Sequence, residues 1–310
     1  MPNYLRFLVS ENCLDFPLVV QIQTQSFCNG RCSICPYPVV SRKLSQGAMD
    51  DELFSKIARE LASEPLFSNL ILHLHNEPLL DAKIFERVRY LKSISKGKNC
   101  NFVTNGVLLD KFSLTEIKES NIDRLTISLN AHSRETYEST NIGLDYDRVM
   151  SNIDRLISDK FLKQRLVLGF VLTQHNAAEI YQATQYWKRR GVKTRVLPIF
   201  SRGGLVKDFE RLKPDGQYWG WPLVSAVWHQ LVYKIPAIVG CHRPFSDMCI
   251  LYNGDIILCC QDWNRSPVLG NVAKNSLKEI WNSDKMRQVR RLLWRRRYSE
   301  IDACKDCSIV

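Results

Sequence analysis

The sequence predicts an α/β fold built on a parallel sheet: an open, partial (β/α)6 barrel of the TIM type, followed by a smaller cysteine-rich extension. Two observations predict the barrel. Over the first two hundred residues, short β-branched apolar runs alternate with amphipathic helical runs, and the links between them are short. Six strand runs are two fewer than a closed eight-stranded barrel needs, so we expect the barrel to stay open.

The predicted elements follow one another as β–α units with crossover helices. The strand runs cover residues 18–24, 69–75, 100–104, 124–129, 165–173 and 193–199. The clearest helical runs, with apolar residues at helical spacing, cover residues 50–63, 82–94, 146–158 and 177–190.

The alternation stops near residue 202, in a stretch rich in glycine, proline and aromatic residues. We place the boundary there, between a barrel domain at residues 1–205 and an extension at residues 206–310. Within the extension, Asn253-Gly254 separates two apolar runs and predicts a β-hairpin. One helix is expected from about 276 to 297.

Composition narrows the class of protein. The chain has 310 residues, of which 45% are hydrophobic and 24% charged, as in a globular protein with a substantial core. No uninterrupted apolar stretch approaches the ~18 residues of a membrane helix. The first residues carry charges through their apolar run, unlike a signal peptide, so we expect a cytoplasmic protein. Eleven cysteines in such a protein indicate metal or redox chemistry rather than disulfides.

Three of these cysteines form a compact motif. Cys28, Cys32 and Cys35 directly follow the first strand run, at the strand end where barrel enzymes place their chemistry. Three thiolates can bind three irons of a [4Fe–4S] cluster and leave the fourth iron open. Zinc is the alternative, but a structural zinc site takes four ligands, and no histidine or further cysteine lies nearby in the sequence.

The Cys-x3-Cys-x2-Cys motif after the first strand of a partial barrel resembles the radical S-adenosylmethionine (SAM) superfamily. The resemblance implies that the open iron binds SAM, and that one electron then splits the cofactor to a 5′-deoxyadenosyl radical, which removes a hydrogen atom from a substrate. It further implies four cofactor-binding residues: Ile34 against the adenine, Glu77 at the methionyl ammonium, Asn105 in the turn after the third strand, and Ser128 at the methionyl carboxylate. Relatives carry glycines at the positions of His75 and Asn76.

A second cysteine group lies in the extension. Cys241, Cys259, Cys304 and Cys307, with the Gly-Asn-Val and Ile-Trp segments at 270–281, resemble the SPASM/twitch extension of the same superfamily. This resemblance implies an auxiliary [4Fe–4S] cluster bound by all four thiolates. A four-cysteine zinc site is the alternative.

Cys249 belongs to neither ligand set. We expect it to be a thiol that donates a hydrogen atom to the substrate radical, with Cys260 as the competing candidate. A plain buried thiol is the alternative, since free cysteine behaves as a small hydrophobic residue.

These residues predict a radical SAM enzyme that removes hydrogen from a C–H bond of a natural-product substrate. Epimerisation of a small polar metabolite of the aminosugar or aminocyclitol type is the leading expectation. Three alternatives remain open: dehydrogenation of a secondary alcohol in such a metabolite, maturation or epimerisation of a ribosomally made peptide, and RNA modification.

The net charge of +11 is unevenly distributed, because six arginines lie within residues 286–297. A solvated helix face is the simplest interpretation. We also expect this basic segment to dock an acidic flavodoxin or ferredoxin as the electron donor. Nucleic acid is the less favoured partner, since no base-reading module accompanies the arginines.

Overall fold

The computed structural model describes residues 13–214 and 241–309. Within these residues, nine strands belong to one sheet: β1 (Val19–Ile22), β2 (Asn69–Ile71), β3 (Asn99–Thr104), β4 (Arg124–Ser128), β5 (Leu166–Leu172), β6 (Lys193–Pro198), β7 (Asp247–Ile250), β8 (Asp255–Ile257) and β9 (Gly270–Asn271). The strand order is β6-β5-β4-β3-β2-β1-β7-β8-β9, and β6 and β9 do not pair with each other. The predicted open partial barrel with six parallel strands is confirmed.

Helices connect the strands and cover the sheet. Their bounds are α1 (Tyr37–Val40), α2 (Asp51–Ser63), α3 (Ile84–Ile94), α4 (Leu114–Glu119), α5 (Arg134–Thr140), α6 (Tyr146–Ser158), α7 (Lys160–Arg165), α8 (Ile180–Arg189), α9 (Phe209–Leu212), α10 (Arg243–Ser246), α11 (Leu277–Trp281) and α12 (Asp284–Trp294). In the described part of the chain, no helix is both long enough and apolar enough to span a bilayer.

The C-terminal hairpin continues the barrel sheet. β7 pairs in parallel with β1, so that Val20 has Leu70 of β2 on one side and Met248 of β7 on the other. β8 then returns antiparallel to β7. Gly254 occupies the turn with a φ of 84°, a conformation that favours glycine, and the predicted hairpin is confirmed. As a result, the end of β7 lies beside the end of β1, where the first cysteine motif begins.

The main core lies between the sheet and its helices. Phe85 of α3, Phe102 of β3, Leu168 of β5 and Trp187 of α8 are all at most 1% exposed. Burying a large apolar side chain contributes roughly 1.5–3 kcal/mol, so this layer holds the strand ends in place.

The single helix expected at about 276–297 is two helices. Ser276 caps α11 in a reciprocal capping box with Glu279, and the hydroxyl of Ser283 accepts from the Met286 N–H to start α12. A second N-cap inside the amphipathic pattern ends one helix and begins the next. The stretch in which we place the boundary is described as far as residue 214 and contains α9; the rest of it lies outside the described residues.

Candidate functional site

The first cysteine motif forms the loop between β1 and α1. The Cys28 N–H donates to the Tyr37 hydroxyl at 2.9 Å, and the Cys35 N–H donates to the Cys32 carbonyl at 3.2 Å. The N–H of Ser33 donates to the Thr140 carbonyl at 2.9 Å, which anchors the loop to the end of α5. Short contacts from both sides therefore hold the motif in one compact conformation.

The three thiols of this motif influence one another. Burial raises the pKa of Cys28 to about 12, and the neighbouring Cys35 adds to the rise. Burial also raises the pKa of Cys32, and both Cys35 and Cys28 contribute. Such thiols stay protonated unless a metal takes the proton's place, because metal binding requires the thiolate. The motif is therefore suited to a bound metal group rather than to a free nucleophile.

The donor set fits a cluster better than a single ion. Among residues 13–214 and 241–309, no three histidine, cysteine, aspartate or glutamate side chains converge closely enough to hold one metal ion. A zinc ion needs its sulfurs about 2.3 Å from one point. In a [4Fe–4S] cluster each thiolate binds a different iron, so the thiols surround a larger volume. Cys28, Cys32 and Cys35 border the same cavity and would together supply the three thiolates of such a cluster.

A cavity of about 280 Å³ opens beside this motif, at the carboxyl ends of the parallel strands. The three motif cysteines contribute to its wall. So do all four residues predicted to bind SAM, which come from the loop after β1 and from the ends of β2, β3 and β4: Ile34, Glu77, Asn105 and Ser128. The structure thus brings the predicted cofactor residues together around one space.

Glu77 anchors the wall of this cavity. Its Oε1 accepts from the Thr104 hydroxyl at 2.5 Å and from the Leu79 N–H at 3.0 Å, and its Oε2 accepts from the Asn105 N–H at 2.8 Å. Burial raises the pKa of Glu77 to about 7, and these hydrogen bonds oppose the rise. The amide of Asn105 also donates to the Asn29 side chain at 2.7 Å, which ties the cysteine loop to the end of β3.

The second cysteine group also assembles. Burial raises the pKa of Cys304 to about 12, with Cys241 and Cys307 adding to it. Burial likewise raises the pKa of Cys259, where Cys260 and Cys241 contribute. Cys241 therefore interacts electrostatically with each of the other three predicted ligands, Cys259, Cys304 and Cys307.

Cys249 and Cys260 occupy different positions at the cavity. Cys249 has no exposed surface and packs among Leu74, Leu251 and Ile257, outside the cavity wall. Cys260 is half-buried and lines the cavity. Cys260 also packs against this small apolar cluster. The geometry therefore favours Cys260, rather than Cys249, as the thiol that faces the substrate.

Two histidines of the cavity wall were not predicted as site residues. The Nδ1 of His73 accepts from the Val103 N–H at 3.1 Å, so Nε2 carries its proton. His75 Nε2 lies 3.0 Å from the Cys260 carbonyl, which can only accept, so His75 Nδ1 is an acceptor; it is buried and has no partner among the described residues. The sequence signal was the pair His73-Leu74-His75 in the segment that follows β2, the segment that also carries Glu77.

Both imidazoles are neutral at physiological pH. Burial lowers the pKa of His73 to about 4 and the pKa of His75 to about 3, with Arg202 acting in the same direction on both. Arg202 follows β6 and also lines the cavity. The cavity wall therefore contains hydrogen-bond donors and acceptors: each neutral imidazole has one donor and one acceptor nitrogen, and the Arg202 guanidinium only donates.

Comparisons with known proteins agree with this site. Residues 22–186 match the model of the Radical SAM superfamily, and residues 241–308 match that of SPASM, an iron–sulfur cluster-binding domain. The S-adenosyl-L-methionine-dependent 2-deoxy-scyllo-inosamine dehydrogenase of Niallia circulans is 20% identical over 292 residues, which is 94% of this chain and 93% of the relative. The GTP 3′,8-cyclase of Lactiplantibacillus plantarum is 26% identical over 199 residues, 62% of this chain and 57% of the relative.

Solved structures share the fold. BtrN in complex with AdoMet and 2-DOIA superposes with a TM-score of 0.65 at 20% identity, covering 94% of this chain and 93% of that chain. Streptococcus suis SuiB bound to its precursor peptide SuiA gives a TM-score of 0.68 at 14% identity, covering 93% and 69%. The family model spans more than half of the sequence and includes the first cysteine motif. The chain therefore belongs to the radical SAM superfamily, as an iron–sulfur enzyme with a C-terminal SPASM domain.

Proposed function

We propose that this enzyme dehydrogenates a secondary alcohol in a small polar metabolite of the aminocyclitol type. One observation carries the proposal: Cys259, a predicted auxiliary-cluster ligand, is followed directly by Cys260, which lines the cavity. A cluster bound by Cys259 would therefore lie beside a residue of the cavity wall, where it could accept an electron from a substrate radical. The dehydrogenase from Niallia circulans, which matches nearly the full length of this chain, supports the same reaction class.

The reaction balances without a further oxidant. When bound, the first cluster and SAM together supply a 5′-deoxyadenosyl radical, which removes the hydrogen atom from the alcohol carbon. One electron from an external reductant would enter through the first cluster to cleave SAM. After hydrogen removal the substrate would lose its hydroxyl proton and pass one electron to the auxiliary cluster, so that the products are a ketone, methionine, 5′-deoxyadenosine and one proton. We assign Ile34, Glu77, Asn105 and Ser128 to binding and orienting SAM, because all four line the cavity beside the motif cysteines.

The cavity wall favours a small polar substrate. His73 presents a donor at Nε2, His75 an acceptor at Nδ1, and the amide nitrogen of Asn76 is buried without a partner among the described residues. Hydroxyl and amino groups of a cyclitol can satisfy both donors and acceptors, whereas an apolar substrate would leave them unpaired. A polar peptide side chain can carry the same donors and acceptors, so a peptide substrate is tested as an alternative.

Epimerisation is the second candidate, because Cys260 lines the cavity and can return a hydrogen atom to a substrate radical. In that scheme Cys260, rather than the buried Cys249, is the donor. A positioned thiol has a high effective molarity, which makes this transfer competitive with loss of an electron.

The test is product analysis with the anaerobically reconstituted enzyme in D2O. The probes are 2-deoxy-scyllo-inosamine, other aminocyclitols, aminoglycosides and short peptides. A ketone that has lost two hydrogens, formed equally by wild type, Cys249→Ala and Cys260→Ala, supports dehydrogenation. One deuterium at an inverted carbon, lost in Cys260→Ala but kept in Cys249→Ala, would replace dehydrogenation by epimerisation. Loss of the deuterated product only in Cys249→Ala would show that Cys249 donates the hydrogen atom, as the sequence predicts.

A further inference from the structure

Arg243 lies at the point where the cavity meets the second cysteine group. It is the first residue of α10, two positions after Cys241. Its Nη1 donates to the Cys260 sulfur at 3.0 Å. Within the described part of the chain, its guanidinium makes no ion pair with a carboxylate at bonding distance. A half-buried cation is thus directed at sulfur rather than at an acid.

The electrostatic surroundings of Arg243 consist mainly of cysteines. Arg243 lies two positions after Cys241, it bonds the sulfur of Cys260, which directly follows Cys259, and Asp247 is the carboxyl group that acts on it. Two of these cysteines, Cys241 and Cys259, are predicted ligands of the auxiliary cluster. The positive guanidinium therefore favours negative charge both on Cys260 at the cavity wall and on the predicted ligands of the auxiliary cluster.

A fixed positive charge has a defined effect on an iron–sulfur cluster. The reduction potential of a cluster depends on its net charge, on hydrogen bonds to sulfur and on solvent exposure. Reduction adds a negative charge, and a nearby cation stabilises that added charge by Coulomb attraction. Since Arg243 is only half-buried, solvent screens part of this effect, but the sign is set by the charge.

We propose that Arg243 is a positioning residue that raises the reduction potential of the auxiliary cluster and so makes it an electron acceptor at the cavity wall. The proposal rests on the proposed dehydrogenation, in which the substrate carbon must give up one electron. A group that merely braced the fold would contribute its hydrogen bonds but would not need to be cationic.

The experiment measures the potential of the auxiliary cluster directly. Cys28, Cys32 and Cys35 are replaced by alanine together in the full chain, so that only the second site can bind a cluster, and an anaerobic redox titration follows the reduced cluster by electron paramagnetic resonance. In this background, Arg243→Gln is expected to lower the ratio of reduced to oxidised cluster at least tenfold at a fixed applied potential. A tenfold change corresponds to a reduction potential lower by ~59 mV for a one-electron couple. Arg243→Lys, which keeps the charge, is expected to shift the ratio less than Arg243→Gln.

Two further variants keep the test decisive. Arg290→Gln removes a buried arginine that bonds the Pro244 and Trp281 carbonyls, and it should leave the potential unchanged. Asp247→Asn removes a carboxyl group that acts on Arg243, and at pH 8 it should raise the potential or leave it at the wild-type value. If Arg243→Gln loses its iron, Asp247→Asn decides: because it removes a negative charge, a potential lowered by Asp247→Asn would overturn the proposal.

An unchanged potential in an iron-replete Arg243→Gln, or equal shifts in the glutamine and lysine variants, would also overturn it. Failure of the proposed function looks different. A lowered potential in Arg243→Gln together with an epimerised product would leave the role of Arg243 intact and reject dehydrogenation. An unshifted potential in Arg243→Gln together with a ketone product would reject the role of Arg243 and leave the proposed dehydrogenation intact.

Discussion

The imidazole of His75 stacks on the indole of Trp263, with ring centroids 3.9 Å apart and an angle of 21° between the planes. His75 Nε2 also donates to the Cys260 carbonyl at 3.0 Å. Together these contacts join the end of β2 to the segment that follows β8. His75 makes them from a backbone φ of 56°, a left-handed conformation that is costly for a residue with a Cβ atom.

This arrangement predicts an order of stability between two variants of His75. His75→Ala loses the stack and the hydrogen bond but keeps the backbone strain, so we expect it to be destabilised by about 2 kcal/mol. His75→Gly loses the same contacts but relieves the strain, so it should be more stable than the alanine variant by about 1 kcal/mol. Urea unfolding of both variants measures the difference. If the alanine variant is as stable as the glycine variant, the left-handed backbone at residue 75 does not cost the folded protein free energy.

The metal content is expected to follow the two cysteine groups separately. Reconstituted wild type should hold about eight irons, the sum of two four-iron clusters. Replacing Cys28, Cys32 and Cys35 by alanine should leave about four irons and abolish 5′-deoxyadenosine formation. Replacing Cys304 and Cys307 should also leave about four irons, but SAM cleavage should persist. Wild type with four irons and one tightly bound zinc would instead make the second group a zinc site.

Glu77 predicts a specific pH dependence of stability. Burial raises its folded-state pKa from 4.5 to about 7, so the folded protein binds this proton more tightly than the unfolded chain does. The contribution of Glu77 is therefore fully present below about pH 4.5 and is lost as the pH rises towards 7. Relative to Glu77→Gln, wild type should lose at most about 3 kcal/mol of unfolding free energy across this window. Urea unfolding at a series of pH values tests this, and a constant difference from pH 4 to pH 8 would disprove it.

The arginine-rich segment predicts a docking surface for the electron donor. Arg290 is buried and its guanidinium stacks over Trp281 at 4.0 Å, so one of the six arginines is part of the packing rather than of a solvated face. The other five, Arg287, Arg291, Arg295, Arg296 and Arg297, are exposed.

Changing Arg295, Arg296 and Arg297 to glutamine should slow turnover with an acidic flavodoxin about tenfold at low salt, because electrostatic steering is lost. Turnover with dithionite should stay unchanged, since a small reductant needs no docking surface. Changing the exposed Arg59, Arg189 and Arg211 in the same way is the matched control. An equal loss with both reductants would assign the segment to folding instead.

Much of the site could be predicted from the sequence because its chemistry follows local features. Parallel strands place their carboxyl ends at one edge of a sheet, so polar residues that directly follow strands meet there. For this reason Asn105 and Ser128, at the ends of β3 and β4, and Glu77, in the segment after β2, line the same cavity as the first cysteine motif. The Asn253-Gly254 hairpin was equally local, since the turn needs a residue that tolerates a positive φ.

Only the tertiary structure decided which thiol faces the cavity. Cys249 and Cys260 lie near each other in the sequence, and nothing local distinguishes them as cavity residues. The pairing of β7 with β1 buries Cys249 against Leu74, and the turn after β8 carries Cys260 to the wall. The same packing brings His75 to Trp263 and Arg243 to Cys260, across 188 and 17 positions of sequence. Side-chain partners of this kind depend on how distant segments pack, whereas the cysteine spacing and the strand ends are determined by the sequence itself.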